Sequence, residues 1–267
     1  MLRKLCVIAA AAALVAAPLP SLAQGKKDSV VMGMTLEPPG LDPTNAAAAA
    51  IAEVTLYNVY ETLTKINEDG SVSPLLAESW QASPDLKTYT FKLRKGIKFH
   101  NGEPFDSAAV KFSFDRAAAP TSTNKDKSLY QAFASVTAPD PETVVVALKY
   151  SEPNLPFLLG QATGSIVEPK SAPTDATQPV GTGPYTLGSW AKGSSITLVK
   201  WPDYRNAAAI RLAKVTIRFI GDPAAQVAAL LSGDVDAFPR GTSARTASPR
   251  DSGFAICSIW RVIASSR

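Results

Sequence analysis

Residues 76–114 constrain this chain more than any other stretch. Tyr89, Phe91 and Leu93 alternate with Thr90, Lys92 and Arg94, and a period of two describes a strand with one buried and one wet face. Ser83-Pro84-Asp85 is a turn signal between that strand and a short apolar element ending at Trp80. A loop bounded by Gly96 and Gly102 follows. Asp106 or Ser107 can then cap a helix that buries Val110 and Phe114 on one face and carries Arg116 near its C-terminal end. The predicted order is strand, tight turn, strand, loop, capped helix, an α+β substructure.

The residues of this stretch also carry a resemblance. Leu76-Ala77-Glu78-Ser79-Trp80, the run from Phe91-Lys92-Leu93-Arg94 through Phe99-His100-Asn101-Gly102, and the helix after it resemble the signature region of the family 5 extracellular solute-binding proteins. These are the peptide- and nickel-type receptors of bacterial ABC importers. Two later segments are similar to the family as well: Gly181-Thr182-Gly183-Pro184-Tyr185, and residues 214–236. The resemblance covers roughly residues 28–239. It implies an α/β chain holding part of a type II, two-lobed periplasmic-binding-protein fold. Residues 24–239 would form the first-lobe part, with a small subdomain at about 46–179. Family members are about twice this length, consistent with more than one domain, so the resemblance implies a C-terminally truncated form.

The N-terminus reads as an export signal. Arg3 and Lys4 supply the positive region, residues 5–17 an apolar run too short to span comfortably, and Ser21-Leu22-Ala23 an A-x-A-like site. Cleavage after Ala23 makes residues 1–23 a signal peptide and predicts a periplasmic product exported by the Sec machinery. Its removal takes Cys6 away and leaves Cys257 alone, which excludes an intramolecular disulfide. The net charge of +4 includes Arg3 and Lys4, and no basic block with interleaved aromatics appears. No nucleic-acid surface is expected.

Along the mature chain, residues 29–34 read as a strand broken by Glu37-Pro38-Pro39-Gly40. Asn45 is a candidate cap for a helix over residues 46–61, and a hairpin turns at residues 68–71. Residues 117–126 read as a polar loop, Ala138-Pro139-Asp140-Pro141 as a turn, residues 143–148 as a strand, 155–159 as a helical turn and 163–167 as a strand. Strands are predicted at 186–190, 195–201 and 215–220. Asp222 then caps a helix with Pro223 at its first position and Gly233 at its end. The Gly181 run lacks the lysine of a phosphate loop and reads as a tight turn. Beyond Pro239 the text changes: residues 241–267 are rich in arginine and serine and contain no lysine. Residues 240–267 read as a disordered tail translated from a shifted frame.

Chemistry is limited by His100, the single histidine. A histidine-based triad would need His100, and no Gly-x-Ser-x-Gly elbow accompanies it; one histidine and one tail cysteine cannot make a conventional transition-metal site from protein ligands alone. His100 is expected to be structural. No catalytic group, no metal site and no cofactor are expected, and the chain is read as a non-enzyme. What the resemblance implies is binding: a peptide or other small solute held between lobes, delivered to an inner-membrane ABC permease and its ATPase, by a monomer. A non-functional fragment, and a nickel-chelate, opine or sugar receptor, are the alternatives. Candidate ligand residues are Thr35, Leu36 and Glu37 at the first strand's end, where crevice ligands sit, and more weakly Gln161 and Ala162. Glu37 would pair with a peptide amine or serve as a solvated turn carboxylate. Trp80, Tyr89, Phe91 and Phe99 are assigned to packing.

Overall fold

The computed structural model describes residues 28–44 and 48–238; the predicted leader, Asn45 and the predicted tail lie outside them. The elements in order are β1 (Ser29–Met34), α1 (Ala49–Thr55), β2 (Thr64–Ile66), β3 (Val72–Pro74), β4 (Ala77–Ala82) and β5 (Thr88–Leu93). Then come α2 (Ser107–Ala118), α3 (Lys127–Gln131), β6 (Phe133–Asp140), β7 (Thr143–Leu148) and α4 (Leu155–Leu158). β8 (Tyr185–Ala191), β9 (Ser195–Lys200), β10 (Lys214–Phe219) and α5 (Pro223–Ser232) complete the set.

The alternation in β5 does what its period requires. Tyr89, Phe91 and Leu93 are buried, and Phe91 sits opposite Val144, Tyr89 opposite Val146. The sheet runs β4-β5-β7-β6, antiparallel throughout. Its inner face packs with Val110, Phe114 and Tyr130 of the helices into one hydrophobic core. Asp106 accepts the Ala109 N–H at 3.0 Å and so starts α2.

A second core forms on the sheet β1-β10-β9-β8. β1 pairs parallel with β10, Met32 opposite Ile217, and the remaining pairs are antiparallel. Met32, Met34, Tyr60, Tyr185, Ile196, Leu198 and Ile217 fill it. Asp222 caps α5 through the Ala225 N–H, Pro223 opens the helix, and Gly233 ends it at φ 79°.

Three expectations need correction. The helix expected over residues 46–61 spans only Ala49–Thr55, with Ala48 preceding it and no side-chain cap. Tyr57 takes a positive φ of 56°, and the Thr55 carbonyl gathers the N–H groups of Val59 and Tyr60. Tertiary bonds drive this exit, since the Tyr57 hydroxyl donates to the Gly160 carbonyl and accepts the Ile66 N–H. The strand expected at 163–167 is a 3₁₀ turn at Ala162–Gly164 followed by irregular backbone. Its polar groups are met singly: Asn124 and Tyr130 donate to the Thr163 carbonyl, and the Val167 N–H bonds the Ser113 hydroxyl. Residues 138–141 are not simply a turn, because β6 runs through Asp140. β6 is mostly exposed and bulged, so it lacks the apolar alternation that announces a strand.

The two cores meet where the 181–185 segment crosses the exit of α1. Gly183 and Tyr185 donate their N–H groups to Val59 and Asn58, each at 2.9 Å. A Cβ on Gly181 would lie 2.0 Å from the Val59 carbonyl oxygen, so only glycine allows the crossing. His100 closes the junction from the other side. Its Nδ1 accepts the Gly181 N–H at 3.2 Å, its Nε2 faces the Gly183 carbonyl at 2.9 Å, and its ring meets Trp201 edge-on. An accepting Nδ1 places the proton on Nε2. Burial lowers the imidazole from 6.5 to about 4.

Buried charge is concentrated at the same junction. Glu61, 1 % exposed, takes a bidentate pair from Arg205 at 2.6 and 2.7 Å, plus hydroxyls from Thr182 and Tyr204. Asp42 pairs bidentately with Arg116 and is bonded by Thr44. Asp175 is fully buried and accepts one N–H from Val180 at 3.3 Å; among the described residues neither its Oδ2 nor the Tyr60 hydroxyl makes a hydrogen bond of good geometry, although the two groups interact with each other electrostatically. Burial, with the Asp42 charge adding to it, raises the Asp175 carboxyl from 3.8 to about 7.

These two shifts oppose each other. His100, depressed in the fold, contributes stability present above 6.5 and lost as pH falls toward 4. Asp175, raised in the fold, contributes stability present below 3.8 and lost as pH rises through 7. Between pH 4 and 6.5 the two slopes cancel. Asp175→Asn exposes the histidine term: relative to the parent, thermal unfolding of the variant loses about 3 kcal/mol as pH falls through that window. An equal pH dependence for both proteins would refute the assignment. Arg205→Met leaves Glu61 buried and unpaired, and urea denaturation should register a loss of about 3–5 kcal/mol. The Glu61→Gln/Arg205→Met double variant should recover part of it.

Candidate functional site

β1 ends where its sheet stops pairing. The Ile220 N–H bonds the Met34 carbonyl at 2.8 Å as the last ladder contact. On the other edge of β1, residues 236–237 bond Val31 and Gly33. Past those contacts the main-chain groups of Thr35 and Leu36 make no hydrogen bond to the described residues. The Leu36 side chain is 68 % exposed. Pro38 and Pro39, which lack N–H groups, follow at once and keep the strand from continuing.

Two elements fix this strand end. Gln226 of α5 donates to the Thr35 hydroxyl at 3.2 Å and to the Ile220 carbonyl at 2.7 Å. The β8–β9 turn holds Glu37: Trp190 Nε1 donates to Oε1 at 2.8 Å and the Gly193 N–H to Oε2 at 2.9 Å. Gly193 adopts φ 74°, a conformation suited to glycine, and this lets the turn present its amide. Lys192 lies over the Trp190 ring, and the Ser194 carbonyl accepts the Phe219 N–H. Thr35, Leu36 and Glu37 are thus brought together with Trp190, Gly193 and Gln226.

Gln161 and Ala162 are placed elsewhere, half-buried at the 3₁₀ turn that follows α4. No hydrogen bond joins them to residues 35–37. Sequence reasoning missed Trp190, Gly193 and Gln226 as partners of the strand end. Trp190 closes an ordinary amphipathic strand, and nothing local marks its contact with a residue so distant in sequence. Both ring nitrogens of His100 are engaged by backbone, as a structural role requires. Among the described residues no cluster of three or more potential metal-ligating side chains occurs, and no helix is long and apolar enough to cross a membrane.

The profile of bacterial extracellular solute-binding proteins, family 5 Middle, matches residues 71–253. The chain belongs to this family. The match continues past residue 240, where the composition changes. The glutathione-binding protein GsiB of Escherichia coli O1:K1 is 33 % identical over 204 residues, covering 74 % of this chain and 40 % of GsiB. Among solved structures, the binding protein AgaA of A. tumefaciens R10 in complex with agropinic acid is 32 % identical with a TM-score of 0.74. It covers 79 % of this chain and 43 % of AgaA. Haemophilus influenzae OppA, complexed with the peptide RPPGFSPFR, is 25 % identical with a TM-score of 0.73, covering 80 % of this chain and 46 % of OppA. The chain therefore spans less than half the length of these relatives. Its mixed α/β architecture is part of the two-lobed periplasmic-binding-protein fold.

Leu36 lends little to folding at this exposure. Leu36→Ser should leave the unfolding free energy within about 0.5 kcal/mol of the parent by urea titration. A larger loss would mean that the side chain supports the core.

Proposed function

We propose that this chain is solute-binding sequence of an ABC importer, capturing peptides or similar small solutes in the periplasm for an inner-membrane permease and its ATPase. Export by the Sec route with cleavage after Ala23, and a monomeric state, belong to the same reading. The observation that carries it is the end of β1, where the main-chain groups of Thr35 and Leu36 are not bonded by any described residue and lie beside an exposed apolar side chain. An extended peptide seeks such a place, because main-chain bonds hold it while side chains vary. Thr35, Leu36 and Glu37 form the proposed contact, with Gln161 and Ala162 as secondary candidates. Family membership and the likeness to OppA favour a peptide. The likeness to AgaA favours an opine as the second reading.

The test is titration of isotope-labelled protein with trialanine and, separately, agropinic acid, followed residue by residue in NMR spectra. This readout registers even weak binding. A peptide receptor should show saturable movement of the Thr35–Glu37 amides with trialanine. Movement with agropinic acid alone would transfer the reading to an opine. If neither compound moves these amides, the strand end is not a solute wall.

A further inference from the structure

Glu37 is a carboxylate at the strand end, and at first sight it is a reader of cationic ligands. The geometry opposes that role. Both oxygens are engaged by donors from one turn, the Trp190 indole N–H at 2.8 Å and the Gly193 amide at 2.9 Å. Two donated bonds satisfy much of the demand of a carboxylate. They also fix the plane of the group against a rigid hairpin. The Lys192 ammonium lies over the Trp190 ring, whose indole N–H is the donor to Glu37. What the contact accomplishes is mechanical: it staples the backbone just after Leu36 to the β8–β9 turn, which is bonded to β10 through Ser194 and Phe219. On the opposite side Gln226 staples Thr35 to α5. Leu36 and its open main-chain groups are held between two anchors.

We infer that Glu37 and Trp190 are positioning residues that hold the Thr35–Leu36 main chain for ligand pairing, and that this wall takes uncharged amide backbone rather than a free amine. The inference rests on the reading of residues 35–37 as a solute wall and specifies what that wall recognises. Its distinctive consequence is indifference to ligand charge. A free-amine peptide and its blocked counterpart should engage the wall equally, because each offers the same amides. Damage to either half of the staple should weaken both probes alike.

The experiment compares trialanine with N-acetyl-trialanine amide on the parent, Glu37→Gln and Trp190→Phe proteins, following the Thr35, Leu36 and Gly193 amides in all three and the Trp190 indole resonance in the first two. Glu37→Gln keeps an acceptor for Trp190 but turns an amide donor toward the Gly193 N–H. Trp190→Phe keeps the ring and removes the donor. Each variant forfeits one bond, so each should weaken both probes by the same factor, about two- to tenfold. Without ligand, Glu37→Gln should shift the Gly193 amide and Trp190→Phe should do the same. If Glu37→Gln abolishes binding of trialanine only, and Trp190→Phe does nothing, Glu37 reads the amine; this inference falls while the solute-wall reading stands. If neither probe moves the Thr35 and Leu36 amides of the parent, both fall. If the ligand-free Gly193 amide is unmoved by Glu37→Gln, the staple is absent and the inference fails whatever the ligand does.

Discussion

The close crossing of two backbone segments, residues 58–59 and 181–185, is the contact on which the rest of the structure depends. It has no room for a side chain at Gly181, and it trades direct N–H to carbonyl bonds between segments far apart in sequence. Each core alone is a sheet with one covered face. The crossing joins them, and the residues around it are polar because unpaired backbone in a dry junction is costly. His100 is best understood as a spacer there, a neutral ring that bonds two backbone groups of one turn while its own backbone N–H bonds a third.

Around the crossing lie charges that a hydrophobic core would ordinarily exclude. Glu61 and Asp42 are tolerated because each meets a guanidinium in bidentate geometry and further donors complete the shell. Asp175 has no guanidinium in such geometry, and burial raises its carboxyl to about 7, so that it takes up a proton far more readily than an exposed aspartate. The junction therefore contains two paired carboxylates and a third whose pKa is raised by burial.

How much of this was legible depended on whether the signal was local. The strand at residues 88–93, the caps Asp106 and Asp222, and the glycine stop at Gly233 all follow from periodicity or from side chains that act within one turn. The truncated α1 did not, because the exit at Tyr57 answers to Gly160 and Ile66, neither near it in the chain. β6 was hidden for the opposite reason: apart from Phe133 and Val136, which touch the core, it is exposed and held by backbone pairing to β7, which leaves little mark on composition. At the candidate site the position of residues 35–37 could be anticipated from the strand end. The partners of Glu37 could not, since Trp190 at the end of β8 and Gly193 in the turn after it read as ordinary hairpin sequence.

The pairing of β1 has a consequence for the order in which the molecule assembles. Ser29 lies opposite Lys214 and Met34 opposite Phe219, so the first strand finds its partner only after nearly all of the described chain exists. The core built on β4, β5, β6 and β7 draws on residues between Leu63 and Ile166 and can close by itself. Loop-closure entropy favours contiguous units, so that core should condense first while β1 waits as an unpaired ribbon. β1 would then stay without its parallel partner until β10 has been made, and its hydrogen-bonding edge would be exposed for that whole interval.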